Sequence, residues 1–287
     1  MMQHLEFVHQ QHFETNYHRV YPEGRLNLFI DFFWQTRFDT LLEQYPEGFS
    51  DVLFPNLGYT YLVNLGTPFT MQVNDNKVPV KQGGFLPRLN MIKAFHSKGN
   101  CLFGIKFKVS PVIFQKKINF AEYSGTVFPL SYLLEPQIIQ QLQTDISFDQ
   151  RVQLLSDYYD AILQQHQGSL KPIEVVVAIL DHVNRQQAFK VSIEEHAAEH
   201  QISSRTLQRY FEAATGTGSK QALQVLRIRK AIHHIIHTPH SFHYSKYGYY
   251  DFSHFYKHLK QFLQMEGLQH LQPHMQVLEP LRKKVDR

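Results

Sequence analysis

The stretch that decides the reading is Val191 to Phe211, VSIEEHAAEHQISSRTLQRYF. Ser192 stands at a helix N-cap. Glu195, three residues on, completes the reciprocal pattern in which each side chain bonds the other's backbone N–H. Ile193 and Ala197 share a face, and small Ala197 lets another helix approach closely. His200-Gln201 reads as a short turn. Ser203 caps a second helix in which Leu207, Tyr210 and Phe211 share a buried face. Ser204, Arg205, Gln208 and Arg209 are left on or near the open face. This is a helix-turn-helix whose second helix can offer bidentate donors to base edges in a DNA major groove. The same geometry also occurs in helical domains that bind no DNA, so the segment has to be weighed in its surroundings.

On its C-terminal side the pattern continues. Gly216 ends the second helix, and Ser219 opens a longer one through Ile236. Ala222, Val225, Ile228, Ile232 and Ile235 form its apolar stripe, and Arg227, Arg229 and Lys230 lie on it. Phe242 to Phe262, FHYSKYGYYDFSHFYKHLKQF, then restates the unit. A short helix reaches a turn at Gly248, Asp251 caps the next, and Phe255, Leu259 and Phe262 form its buried face.

Two such units on one long helix resemble the AraC/XylS family of bacterial transcription activators. The matching residues are Ala197, Ser203, Arg205, Leu207, Arg209, Phe211 and Gly216. They continue with Arg227-Ile228-x-x-Ala231, then Gly248-Tyr249-x-Asp251-x-Ser253-x-Phe255 and Lys260, so the resemblance runs from Ile173 to about Phe262. It implies that the second helix of each unit enters successive major-groove faces of double-stranded DNA. Carried over, DNA contacts fall to Ser204, Arg205, Thr206, Gln208 and Arg209 in the first unit. In the second they fall to Phe252, Ser253, Tyr256 and Lys257. Leu207, Phe211, Ala231 and Phe255 are assigned to the core. The second unit departs from the pattern: His243-Tyr244 replaces an Ile-Ala pair, Phe252 stands at a usually polar position and Leu259 replaces a phenylalanine. The closing Gly-x-x-Pro is absent. In the linker helix, Ser219 and Ala222 replace a proline and an aromatic. The first unit is therefore expected to do most of the reading.

The first half is β-rich. Leu26 to Phe38, Tyr59 to Leu65, Phe69 to Val73, Lys77 to Val80 and Leu102 to Val109 are short aromatic and β-branched runs. Asn74-Asp75-Asn76 reads as a hairpin turn. Asp149 to Gln165 has helical spacing at Val152, Leu155, Tyr159 and Ile162; it either packs on its own domain or forms a dimer seam. The expected architecture is α+β. A cupin-like barrel or sandwich with flanking helices occupies residues 1–165, a linker 166–172, the double helix-turn-helix domain 173–265 and a tail 266–287. Trp34, Phe49-Ser50-Asp51, Gly83-Gly84 and Gly104-x-Lys106-Phe107 resemble, loosely, a front end of related bacterial regulators. Such a domain implies a small-molecule effector and a homodimer, with RNA polymerase a further partner. Phe29, Phe32, Phe33, Trp34 and Phe38 either line a pocket or fill the core.

Charge agrees with this division. From Lys171 onward 16 Lys+Arg face 10 Asp+Glu, leaving 13 of the 29 basic and 15 of the 25 acidic residues before it. The positive excess belongs to the half that meets a polyanion. No run reaches the ~18–20 apolar residues of a membrane span, and the N-terminus lacks the pattern of a signal peptide, which predicts a cytoplasmic protein. Cys101 alone excludes an internal disulfide and a multi-cysteine zinc site.

Eighteen histidines invite a metal reading. Residues 1–165 contain no His-x-His, so a metal cupin is not expected. The i,i+4 pairs His196/His200, His233/His237 and His254/His258 lack a carboxylate or thiolate beside them, and no metal or other cofactor is expected. Their protonation near pH 6 predicts stronger DNA binding in acid. Two other classes compete with the DNA-binding regulator. One is a ligand-binding or protein-interaction module whose second unit has degenerated. The other is an enzyme in the β-rich half, which no nucleophile–base set, phosphate-cradling loop or metal triad supports.

Overall fold

The computed structural model describes residues 1–110 and 126–275. Among the described residues the β-rich half holds ten strands. They are β1 (Met2–Leu5), β2 (Tyr17–Val20), β3 (Ile30–Arg37), β4 (Phe49–Leu53), β5 (Tyr59–Asn64), β6 (Phe69–Val73), β7 (Asn76–Val80), β8 (Gly83–Pro87), β9 (Ile92–His96) and β10 (Cys101–Phe107). Two short helices, α1 (Gln10–Thr15) and α2 (Asp39–Gln44), interrupt them. The strands form two five-stranded sheets, in the orders β1-β4-β9-β6-β7 and β2-β3-β10-β5-β8. All pairings are antiparallel except β1 with β4.

Side-chain alternation explains how the second sheet is buried on both faces. Trp34, Leu62, Leu86 and Leu102 point across to Met71, Val73, Ile92 and Ala94 of the first sheet, closing a sandwich. Gly104 lies beneath the Trp34 ring, where a Cβ would collide with the indole. On the opposite face, Phe33, Tyr59, Tyr61, Phe103, Ile105 and Phe107 meet helices. The β6–β7 hairpin turns at Asn74-Asp75, with Asn74 at φ 52°. Its amide side chain tolerates that left-handed backbone, as its sequence suggested.

The helices are α3 (Pro136–Gln143), α4 (Phe148–Gln165), α5 (Lys171–Gln186), α6 (Ile193–Glu199), α7 (Ser204–Thr215), α8 (Ser219–His237) and α9 (Phe252–Met275). Helix α4 begins in a capping box between Ser147 and Gln150 and buries Leu155, Tyr159 and Leu163 on its own half rather than leaving them open. Helix α9 breaks at Gln264, whose φ is 56°. Beyond the break Leu271 is buried, so the start of the expected tail is helical. Among the described residues no helix is long and apolar enough to cross a membrane.

Two hydrophobic clusters join the halves. The first runs from the second sheet through α4 and α5 to Leu207, Phe211 and Ala214 of α7. The second packs Leu5, Phe7, Val52, Phe54 and Met91 against Ile228, Ile232, Phe255, Phe262 and Leu263. Phe7, Phe54 and Phe262 form a ring stack, with centroids 5.4 and 6.1 Å apart along it. Arg229 reinforces this seam. Its guanidinium pairs with Glu6 at 2.5 Å, donates to Pro55 O at 2.9 Å and lies 4.8 Å from the Phe7 ring centroid. Burial would raise the Glu6 pKa, but Arg229 and Arg88 outweigh it and hold the carboxyl below its ordinary value.

Candidate nucleic-acid interface

Helix α6 starts in the expected capping box: Glu195 N donates to Ser192 Oγ, and Ser192 N donates to Glu195 Oε2 at 2.7 Å. Ala197 is buried, as its size requires at the crossing with α7. The turn places Gln201 at φ 54°, and Ile202 N donates to Ala197 O at 3.0 Å. Ser203 Oγ accepts from Thr206 N at 3.1 Å and sits 2.9 Å from the Thr206 hydroxyl. Leu207, Phe211 and Ala214 then anchor α7, and Gly216 closes it at φ 73°. A glycine supplies that conformation without a Cβ penalty.

This framework leaves Arg205 and Arg209 exposed one turn apart, with Ser204 and Thr206 half-exposed beside them. Each guanidinium is a planar fork suited to guanine O6/N7 or to phosphate. Gln208 has a different setting. Its Oε1 accepts from Ser219 N at 3.1 Å and Ser219 Oγ at 2.9 Å, while its Nε2 donates to Glu212 at 2.8 Å. The side chain thus caps the start of α8, replacing the proline of the resembling family as the device that sets this corner. An adenine-reading Gln208 would have to give up those bonds.

The second unit is more compact. Its first helix is a single 3-10 turn, Tyr244–Tyr247, closed by Gly248 at φ 71°. Asp251 caps α9 by accepting from His254 N at 2.7 Å. Phe255, Leu259 and Phe262 are buried as expected. Phe252 corrects the sequence reading: it is 5 % exposed inside the second cluster, stacked on Tyr256 at 5.7 Å, so its ring has no free face for a base. The spacing 252, 255, 259, 262 already carried that signal. Ser253 and Lys257 are exposed and Tyr256 half-buried, with the Lys260 ammonium over its ring. Arg227 staples the unit to α8, donating to Gly248 O at 3.3 Å and lying over Tyr249. Arg229 faces the β-rich half and is withdrawn from the groove side.

Of the paired histidines, His196 is buried and, contrary to expectation, has a carboxylate beside it, Glu199 at 3.7 Å; burial lowers its pKa and those of His233 and His258, as it does for the unpaired His234.

Two of the cavities that touch the β-rich half meet at Lys106. One of about 240 Å³ lies inside the sandwich, walled by Phe32, Trp34, Met71 and Leu86 and reached by Arg88 and Lys106. The other, about 340 Å³, lies between the halves and is lined by Lys106, Asp181, Arg229 and Lys230. Lys106 borders both. Burial lowers its pKa to about 7, and its ammonium donates to Leu57 O and to Phe107 O. Burial likewise lowers Arg88 to about 10. The choice between pocket and core thus divides the aromatics. Phe32 and Trp34 line the cavity, while Phe29, Phe33 and Phe38 are core.

The geometry is that of a DNA-binding helix-turn-helix pair, and residues 196–266 match the family model of a helix-turn-helix domain. This C-terminal region is an AraC-type helix-turn-helix domain. No curated protein sequence matches the chain significantly. Among solved structures, ToxT from Vibrio cholerae is 12% identical, covering 77% of this chain and 97% of that one, with a TM-score of 0.40. ToxT with a bound unsaturated fatty acid is 10% identical over 77% and 93%, at 0.39. The AraC-like transcriptional activator CuxR is 11% identical over 77% and 88%, at 0.29. Superpositions this loose transfer no residue's role.

Proposed function

We propose that this chain is a sequence-specific DNA-binding transcription regulator in which α7 enters the major groove and Arg205 and Arg209 read bases. Ser204 and Thr206 would flank them at the backbone. The second unit would grip phosphates through Ser253, Lys257 and Tyr256. The observation that carries the reading is the pair of exposed arginines on a helix capped at both ends and anchored by Leu207 and Phe211. Residues 173–265 would be the DNA-binding domain, joined through 166–172 to a regulatory domain, 1–165, in a cytoplasmic regulator rather than an enzyme. A second copy of the chain and RNA polymerase are the protein partners this reading allows.

The test is selection of genomic fragments with purified full-length protein, followed by titration of the selected site. Arg205→Ala and Arg209→Ala should each weaken that site by ~1–3 kcal/mol, which is about 5- to 150-fold. A wild-type protein with no salt-sensitive preference for any fragment would overturn the reading in favour of a protein-interaction module.

The sandwich cavity supports an effector with an apolar body and an anionic head set against Lys106 and Arg88. Lys106 has a folded pKa near 7, so it is charged mainly below that pH. An anionic ligand favours the charged form. Binding of a medium-chain carboxylate should therefore weaken as pH rises from 6 to 9, read by calorimetry, and Lys106→Met should remove both the binding and its pH dependence. Equal affinity across that range would count against Lys106 as the anchor.

A further inference from the structure

Asp51 lies in the middle of β4, wholly buried, with His4 opposite it on the neighbouring strand β1. Three imidazoles and a phenol converge on its carboxylate. On the Oδ1 side stand His12 Nε2 at 2.8 Å and His4 Nδ1 at 3.7 Å. On the Oδ2 side, the Tyr17 hydroxyl donates and His96 Nε2 lies at 3.3 Å. All three histidines are at most 9% exposed, walled by Phe38, Phe49 and Phe69. Burial by itself would neutralise such a carboxyl. The imidazoles overcome that effect and hold Asp51 well below the usual carboxylate range.

Two buried nitrogens that face this carboxylate make no hydrogen bond. His96 Nδ1 lies 2.6 Å from Asn100 Oδ1, an acceptor, so Nδ1 carries a hydrogen. Neither His96 Nε2 nor His4 Nδ1 makes any hydrogen bond, although both are buried. Orphaned nitrogens facing an ionised carboxylate are costly unless something positive joins them.

A cation does so. The His4 and His12 rings stack at 3.9 Å with planes 12° apart. Their facing nitrogens and a carboxylate oxygen of Asp51 all lie within 4.8 Å of one another. Neighbouring ligands of a tetrahedral ion with bonds of ~2.0–2.2 Å stand roughly 3.3 Å apart, so small side-chain shifts complete the set. We propose that His4 Nδ1, His12 Nε2 and Asp51 Oδ1 bind a divalent transition-metal ion of the zinc class, with the Tyr17 hydroxyl holding the other carboxylate oxygen. Two imidazoles and a carboxylate suit zinc, nickel or iron(II), whereas magnesium and calcium require oxygen sets. Binding through Nε2 puts the His12 proton on Nδ1, so Asn16, whose Nδ2 lies 3.1 Å from Nδ1 and donates to His12 O at 3.0 Å, has to turn its amide oxygen toward Nδ1 and give up that bond.

The site has a consequence for the whole chain. Between His4 and His12 lie Glu6 and Phe7, the residues that hold Arg229 and the ring stack against the helix-turn-helix half. An ion clamping β1 and α1 to β4 stiffens the segment on which that docking depends.

The test uses full-length protein stripped with a chelator and titrated with Zn²⁺ or Co²⁺. One equivalent should bind, the cobalt form should show the visible band of a four- or five-coordinate ion, and Zn²⁺ but not Mg²⁺ should raise Tm. His4→Gln and His12→Gln, each checked for folding by circular dichroism, should lose the equivalent. His233→Ala with His237→Ala should keep it, since that exposed pair has no carboxylate. Absence of a stoichiometric equivalent in the wild type overturns the proposal, as does retention of it in either glutamine variant. If one variant fails to fold, the other decides.

Discussion

Arg205 and Phe252 both stand near the start of the second helix of their units, yet they face opposite ways. Arg205 is solvated, so Arg205→Ala should lower affinity for the selected DNA site while leaving Tm unchanged. Phe252 is packed among Phe255, Tyr256 and Tyr244. Phe252→Ala should cost about 3–5 kcal/mol in urea unfolding while preserving site preference in the folded fraction. A Phe252→Ala protein of undiminished stability but altered specificity would restore the ring to the DNA side. The arginines were legible because the polar positions of an amphipathic helix are visible in its periodicity. The engagement of Gln208 was not, because its partner Ser219 lies across a corner whose angle no local pattern records.

At the scale of elements, the helices announced their ends through side chains that cap them within three residues. Ser192, Ser203 and Asp251 all do so. Ser203→Ala should cost about 1 kcal/mol. Gln208→Ala should lower Tm by loosening the start of α8; if it instead changes only base preference, the capping role is wrong. The aromatic strands were equally legible. β1, β2, β4, β8 and β9 were not, because MQHL, YHRV, FSDVL, GGFLP and IKAFH lack a clean alternation and gain their strand character from pairing with neighbours. The histidines change the expected response to acid. Those with pKa values lowered by burial protonate less readily than an ordinary imidazole, so they add less charge toward DNA on acidification. The folded state also disfavours their protonation, so stability should fall as pH drops below the ordinary histidine value. A chain equally stable at pH 7 and pH 5 would contradict this.

At the scale of the molecule, the two halves share two apolar clusters and the Glu6–Arg229 pair, whose side chains are only 21% and 15% exposed. Removing one partner from a buried pair costs ~3–5 kcal/mol and from an exposed one at most about 1. Arg229→Ala should fall between these limits and speed protease cleavage in 166–172. Unchanged cleavage would mean that the apolar seam alone holds the halves. Glu6 is held below its ordinary pKa, so its contribution is complete above that value and is lost as pH falls through the lowered one.

By itself the sequence determined the helix-turn-helix pair, its caps, its exposed arginines and the β character of the first half. Each of these rests on contacts a few residues apart, which leave a periodic or capping signature in the chain. Only the tertiary structure decided that Arg229 faces inward. It alone brought Lys106 to the wall of two cavities. It also gathered His4, His12, Tyr17 and His96 around Asp51 from four separate elements. Those relations depend on sheet register and on how one half packs against the other, and distant residues brought together in this way leave no spacing to read.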